Sequence, residues 1–86
     1  MIDNYMLYSN IPILDLHGND RFSAIYMANE FIDDNIKLNN KLIKIVHGKG
    51  EGILRDELHK FLKTKREVKE YKLDIFNSGT TIIELN

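Results

Sequence analysis

The spacing of apolar and polar positions predicts alternating strands and helices in the first two thirds of the chain. Two short apolar runs end at His17 and His47, and each is followed by glycine and then by a segment in which apolar residues recur at helical spacing. We expect Asn19 or Asp20 to cap the first helix, because both side chains can accept a hydrogen bond from its first turn. The predicted strands cover residues 11–16 and 42–46, and the predicted helices run from about residue 20 to 35 and from about 53 to 62.

The last third of the chain changes to a period of two, which is typical of half-buried strands. Apolar residues alternate with polar ones from residue 68 to 75, with Tyr71, Leu73 and Ile75 on the expected inner face. The "NSG" at residues 77–79 predicts a turn, and a β-branched strand follows over residues 80–85. Two right-handed crossovers then place both helices on one face of a four-stranded mixed sheet, in a two-layer α/β sandwich with the order β-α-β-α-β-β.

Composition limits the classes of protein to consider. The 86 residues are enough for one domain, which we assign to residues 11–86 after an N-terminal extension over residues 1–10. Lys and Arg number 12 against 13 Asp and Glu, so no global basic field indicates nucleic acid. The absence of cysteine excludes disulfides and thiolate metal sites. With no signal-like start and no apolar run of membrane-spanning length, we expect a soluble cytoplasmic protein without membrane partners.

Candidate chemistry lies where the first two strands end. Because these strands are expected to be parallel, their carboxyl ends share the sheet edge at which α/β proteins bind ligands, together with two helix N-termini that favour an anion such as phosphate. His17 and His47 lie there and could divide general-base and general-acid duties. Asp15 shares a strand face with His17, so it could orient that imidazole; the alternative is an Asp–His surface pair that only fixes the turn.

The segment "HGKGEG" is predicted to cradle an anion. Gly48, Gly50 and Gly52 would let backbone amides face the ligand and Lys49 would add charge, whereas the alternative is a flexible turn. Neither a Walker loop nor the dinucleotide fingerprint can be written through it, so no nucleotide cofactor is expected. A metal site on Asp15, His17 and His47 is a minor alternative, and no metal cofactor is favoured. We expect the remaining polar candidates to be ordinary helix or strand residues (His59, Thr80, Thr81). Two aromatic residues of the first helix are expected to pack in the core or with the N-terminal residues, with base stacking as the alternative (Phe22, Tyr26).

Three stretches together, "LDLHG", "HGKGEGILR" and the closing "GTTIIEL", resemble the Smr (small MutS-related) domain family over residues 13–85, in the form of a stand-alone Smr protein. The resemblance implies a fold similar to the C-terminal domain of bacterial translation initiation factor three. It also implies endonuclease activity, either DNA nicking or cleavage of messenger RNA on stalled ribosomes. The family's D-L-H motif falls on Asp15, Leu16 and His17, and its H-G-x-G motif falls on residues 47–50. Arg55 matches a basic position in the following helix.

The leading hypothesis is therefore a nucleic-acid endonuclease that uses His and Asp acid–base chemistry, with RNA somewhat favoured over DNA. The alternative is a non-catalytic module that binds nucleic acid or the ribosome, and a third hypothesis is a binder of small anions or nucleotides. The sequence leaves open the natural substrate, the roles of the two histidines, the need for a partner, and whether the protein is a monomer or a weak dimer.

Overall fold

A computed structural model describes residues 11–86, which form two helices and one four-stranded sheet in the predicted order. The strands are β1 (Ile13–Asp15), β2 (Leu42–Val46), β3 (Val68–Asp74) and β4 (Asn77–Leu85), and the helices are α1 (Arg21–Lys37) and α2 (Ile53–Thr64). The N-terminal extension assigned to residues 1–10 lies outside the described residues. Within residues 11–86, neither helix is long and apolar enough to cross a membrane.

The sheet has the strand order β1-β2-β4-β3. Strands β1 and β2 are parallel, whereas β4 lies between β2 and β3 and is antiparallel to both. It follows that β1, β2 and β3 point the same way, so their carboxyl ends lie on one side of the molecule. The N-termini of both helices and the β3–β4 turn lie there too. This side, residues 15–22, 46–56 and 74–79, is called the strand-end edge below.

A single core lies between the sheet and the two helices. Its buried apolar side chains come from both helices, from β2 and β4 and from the residue after β1, and Val68 and Tyr71 of β3 pack against them partly buried. The two-layer α/β sandwich predicted from the sequence is therefore confirmed. The helices also contact each other directly. The buried members are Leu16, Ala24, Ala28, Ile32, Ile43, Ile45, Leu58, Leu62, Ile83 and Leu85.

Helix α1 begins with a carboxylate cap, as the sequence predicted. The Asp20 carboxylate accepts hydrogen bonds from the Ser23 amide at 2.8 Å and from the Ser23 hydroxyl at 3.1 Å. These bonds stabilise the ionised carboxylate and lower the pKa of Asp20. The helix continues two residues beyond its predicted end, because the buried Asn35 side chain donates back to the Phe31 carbonyl at 2.8 Å instead of ending the helix.

The turn predicted at residues 77–79 was wrong. The chain reverses two residues earlier, at Ile75 and Phe76, and residues 77–79 are the first residues of β4. Consequently Ile75, predicted to face inward, is 80% exposed. Between the pairs Leu73–Thr81 and Asp74–Asn77 the register shifts by three residues, which forms a bulge at the start of β4.

Candidate nucleic-acid site

The strand-end edge contains a crevice of about 400 Å³. His17 lines it from the end of β1 and His47 from the end of β2, and residues 48–55 form the rest of its wall. The structure therefore brings His17, at the end of β1, together with residues 47–55, which follow β2.

His17 is exposed, and its ring lies over Gly48. A Cβ built on Gly48 would lie 3.9 Å from Cδ2 of the His17 ring, an ordinary contact distance. The Asp15 carboxylate accepts a hydrogen bond from the backbone amide of His17 at 2.9 Å. The Asp15 carboxylate thus bonds to the backbone and holds the turn that carries His17. This agrees with the alternative in which Asp15 only fixes the turn.

His47 is turned inward and is only 5% exposed. Its Nδ1 lies 3.0 Å from the Gly48 carbonyl oxygen and its Nε2 lies 2.8 Å from Thr81 Oγ1. Because a carbonyl can only accept, Nδ1 carries the proton and donates. Burial lowers the pKa of His47, and the positive charge of Arg55 acts in the same direction, so the ring is neutral near pH 7. Its two nitrogens are committed to bonds within the protein rather than to the crevice.

His59 and Thr81 belong to this cluster, contrary to the expectation that they are ordinary helix and strand residues. His59 Nε2 lies 2.7 Å from Thr81 Oγ1, and the His59 ring stands edge-on to the His47 ring, with centroids 6.1 Å apart. Thr81 is fully buried. The sequence held one usable signal: the period of two from Leu85 through Ile83 places Thr81 on the inner face, where a hydroxyl needs a partner.

The glycine-rich segment is anchored at its start by β4. The backbone amides of His47 and Gly48 both donate to the Gly79 carbonyl, at 2.9 and 3.0 Å. The Gly48 amide therefore points to β4 and not to a ligand, contrary to the prediction from the sequence. Gly48 has a φ of +86°, a left-handed conformation that glycine adopts without strain. Gly50, by contrast, is exposed with open space around it.

The two helix N-termini at this edge are not equivalent. The first turn of α1 already holds the Asp20 carboxylate, so the prediction that both N-termini favour an anion was wrong for α1. Helix α2 is preceded at its N-cap position by Gly52, which supplies no side-chain cap, and residues 53–55 of its first turn line the crevice. Open amides and the positive end of a helix dipole favour a nearby anion, so α2 rather than α1 presents the N-terminus suited to one.

Two basic residues flank that end of α2. Lys49 is exposed. The Arg55 guanidinium packs against Gly52, whose φ is +81°, and its Nε donates to the Asp56 carboxylate at 3.1 Å. The Nε of Arg55 is thus bonded within its own helix. Lys49 and Arg55 both line the crevice.

The metal site considered as a minor alternative is not formed. Among residues 11–86, no three His, Asp or Glu side chains come together in a way that could hold a metal ion. The ring nitrogens of His47 are bonded to Gly48 and Thr81, and the carboxylate of Asp15 to the His17 amide.

Several large apolar side chains are exposed at the strand-end edge. Phe22 in the first turn of α1 is 79% exposed and Phe76 in the β3–β4 turn is 64% exposed, so Phe22 does not pack in the core; its expected packing with the N-terminal residues lies outside the described residues. Ile53 and Ile75 are exposed at the same edge. The Arg21 guanidinium lies 5.6 Å from the centroid of the Phe22 ring. Aromatic rings with neighbouring cations are the groups that proteins use to stack unpaired bases.

Comparison with known proteins gives consistent matches. Two MutS2 endonucleases are similar to this chain: that of Clostridium kluyveri is 36% identical over 85 residues, or 95% of this chain and 11% of the relative. That of Clostridium botulinum strain Eklund 17B is 40% identical over 75 residues, or 84% of this chain and 10% of the relative. The chain thus spans about a tenth of these relatives.

Solved structures agree on the fold. The Smr domain of Thermus thermophilus MutS2 superimposes with a TM-score of 0.86 at 22% identity, covering 88% of this chain and 99% of that one. YdaL, a stand-alone small MutS-related protein from Escherichia coli, gives a TM-score of 0.82 at 22% identity, covering 86% of this chain and 63% of that one. The family profile of the Smr domain matches residues 14–86, and the chain therefore belongs to the Smr domain family.

Proposed function

We propose that this domain binds RNA at the strand-end edge and cleaves it without a metal ion, with DNA as the weaker substrate. The observation that carries the proposal is the placement of an exposed imidazole, His17, in the same crevice as the uncapped N-terminus of α2. Membership of the Smr family and the similarity to MutS2 endonucleases support a nucleic-acid role. We assign this activity to the domain formed by residues 11–86, and we propose that the protein acts in the cytoplasm.

The phosphate to be cleaved binds at the first turn of α2. The open amides of residues 53–55 and the side chains of Lys49 and Arg55 offset its negative charge, which increases as the phosphorus becomes pentacoordinate. His17 takes the proton of the 2′-hydroxyl, the 2′-oxygen bonds to phosphorus, and the bond from phosphorus to the 5′-oxygen breaks. The leaving oxygen takes a proton from solvent at this open edge, and the products are a 2′,3′-cyclic phosphate and a 5′-hydroxyl.

His47 has a different role in this proposal from the acid considered at first. A general acid must reach the leaving oxygen, and both nitrogens of the buried His47 ring are bonded to Gly48 and Thr81. We assign His47 to holding the glycine-rich segment through the Gly48 carbonyl. Asp15 likewise holds the turn that carries His17, through the His17 amide.

The exposed aromatic residues favour a single-stranded substrate. Phe22 lies in the first turn of the helix that follows β1, and Phe76 lies in the turn that follows β3. Since β1 and β3 are the two outer strands, three strand spacings or about 14 Å separate the ends of these strands. An RNA strand crossing this edge would stack unpaired bases on both rings, whereas a duplex keeps its bases stacked within itself.

The test is a cleavage assay on 5′-labelled single-stranded RNA with a nicked-circle assay for DNA, each in EDTA and in Mg²⁺. Wild type is compared with His17→Ala and with a matched surface control, Lys60→Ala, whose side chain is exposed on α2. We expect RNA cleavage in EDTA that leaves a 5′-hydroxyl, is lost in His17→Ala and is unchanged in the control. A strict metal requirement with DNA cut equally well would overturn the proposed chemistry.

A second candidate function is a non-catalytic module that binds RNA on the ribosome. It is favoured by the inward position of His47, which leaves His17 as the one exposed imidazole among the three described histidines. Under this reading neither wild type nor His17→Ala cleaves free RNA or RNA on stalled ribosomes, and both bind it equally. Cleavage only when stalled ribosomes are added would instead identify the ribosome as a partner of the enzyme.

A further inference from the structure

The described residues contain one buried hydrogen-bonded chain that the proposed chemistry does not use. It runs from His59 on α2 through Thr81 on β4 to His47 at the end of β2, with heavy-atom distances of 2.7 and 2.8 Å. From His47 it continues at 3.0 Å to the Gly48 carbonyl in the wall of the crevice. The three side chains lie on three different elements, so the chain connects both layers of the fold.

The direction of each bond follows from the chemistry of its atoms. The Gly48 carbonyl accepts only, which puts the proton of the neutral His47 ring on Nδ1 and leaves Nε2 as an acceptor. Thr81 must then donate its single hydroxyl proton to His47 Nε2. Because the only proton of the Thr81 hydroxyl is engaged with His47, the Thr81 oxygen must accept a hydrogen bond from His59 Nε2. This places the proton of neutral His59 on Nε2.

We propose that Thr81 and His59 are positioning residues: they hold His47 as its Nδ1–H tautomer and thereby hold the glycine-rich segment in the form that binds phosphate. The second half of this statement rests on the proposed function. A His47 ring with its proton on Nε2 would turn a lone pair toward the Gly48 carbonyl and lose that bond. Of these two hydrogen bonds, Gly48 would then keep only the one that its backbone amide donates to the Gly79 carbonyl.

Packing makes the arrangement selective for one tautomer. Thr81 is fully buried and His47 nearly so, so no solvent is available to satisfy a ring nitrogen that loses its partner. The His59 ring is held by an edge contact with Tyr71, with centroids 5.0 Å apart. Burial also lowers the pKa of both histidines, which keeps each ring neutral and gives each nitrogen a fixed role as donor or acceptor.

The experiment compares Thr81→Val, which keeps the shape of the side chain and removes the hydroxyl, with Thr81→Ser, which keeps the hydroxyl. Nitrogen-15 NMR of the imidazole rings reads the tautomer of His47, and amide hydrogen exchange at His47 and Gly48 reads the anchoring of the segment. We expect wild type and Thr81→Ser to show a single Nδ1–H tautomer, and Thr81→Val to show a mixture with faster exchange. Affinity for single-stranded RNA should fall about fivefold in Thr81→Val, as for one lost hydrogen bond, and stay within about twofold in Thr81→Ser.

A second pair of variants keeps the test decisive if Thr81→Val does not fold. His59→Gln retains a side-chain N–H that can donate to Thr81, whereas His59→Leu does not, so the first should preserve the His47 tautomer and the second should not. A single Nδ1–H tautomer in Thr81→Val or in His59→Leu would overturn the proposal. If wild type binds no RNA, the proposed function fails, but the tautomer and the exchange rates still decide whether Thr81 and His59 position His47.

Discussion

Replacing Gly79 with alanine should destabilise the domain because of one close approach between backbones. Gly79 lies in the bulge at the start of β4 and packs against Gly48. A Cβ at position 79 would lie 3.1 Å from the Gly48 carbonyl carbon, 3.1 Å from Lys49 Cγ and 3.3 Å from Asn77 Oδ1. Carbon atoms pack best at about 3.5–4.0 Å, so β4 and the glycine-rich segment must separate by a few tenths of an ångström.

The magnitude combines two opposing effects. Overpacking a tight site typically costs about 1–3 kcal/mol, and the separation also stretches the two hydrogen bonds that the Gly79 carbonyl accepts from the amides of His47 and Gly48. Alanine in place of glycine restricts the unfolded chain, which returns about 0.4–1 kcal/mol. The difference between these two effects lies between about 0 and 2.6 kcal/mol, and we expect the Gly79→Ala domain to lose about 1.3 kcal/mol of unfolding free energy, the middle of that range.

Gly50→Ala is the matched control, because a Cβ at position 50 meets nothing within 4 Å and no left-handed φ is required there. Only the effect on the unfolded chain remains, so this variant should be as stable as wild type or more stable by up to about 1 kcal/mol. Thermal unfolding followed by circular dichroism measures both, with a shift of about 4–8 °C for each kcal/mol in a domain of this size. If Gly79→Ala unfolds at the same temperature as Gly50→Ala or higher, the close approach does not constrain the fold.

Three further predictions concern stability and binding. Because burial lowers the pKa of His47 and His59, the unfolded chain takes up their protons near pH 6.5 while the folded domain does so only at lower pH. The unfolding free energy, measured in urea, should thus be nearly constant between about pH 8 and 7 and fall below about pH 6.5. The fall should be at most about 1.4 kcal/mol per pH unit for each histidine, and less steep in His59→Gln. An unfolding free energy at about pH 5.5 equal to that at about pH 7 would contradict this. Asp20→Ala should cost about 1 kcal/mol through the lost helix cap, while RNA affinity stays within about twofold; a thermal midpoint equal to wild type would contradict the first part. Phe22→Ala and Phe76→Ala should each weaken binding of single-stranded RNA by about 1–3 kcal/mol and leave duplex binding unchanged, and an equal loss for both substrates in fluorescence anisotropy would refute base stacking.

Local sequence patterns were sufficient for the elements and for much of the site. The order of strands and helices, the bounds of β2, and the Asp20 cap follow from interactions within a few residues of each other, which periodicity and capping chemistry describe. The meeting of His17 with the glycine-rich segment was also predictable, since consecutive parallel strands end at the same sheet edge. The inward position of His47 continues the alternation of Ile43 and Ile45 and could have been read in the same way.

The amino-acid sequence by itself thus determined the α/β order, the crevice edge and the family to which the chain belongs. Only the tertiary structure decided what the side chains at that edge bond to. His47 reaches Thr81 across 34 residues and His59 reaches Thr81 across 22, and both bonds exist because β4 inserts between β2 and β3. The same insertion brings Gly79 against Gly48. The pairing of distant strands depends on the summed packing of the whole core, and no local period of two or of 3.6 residues contains that information.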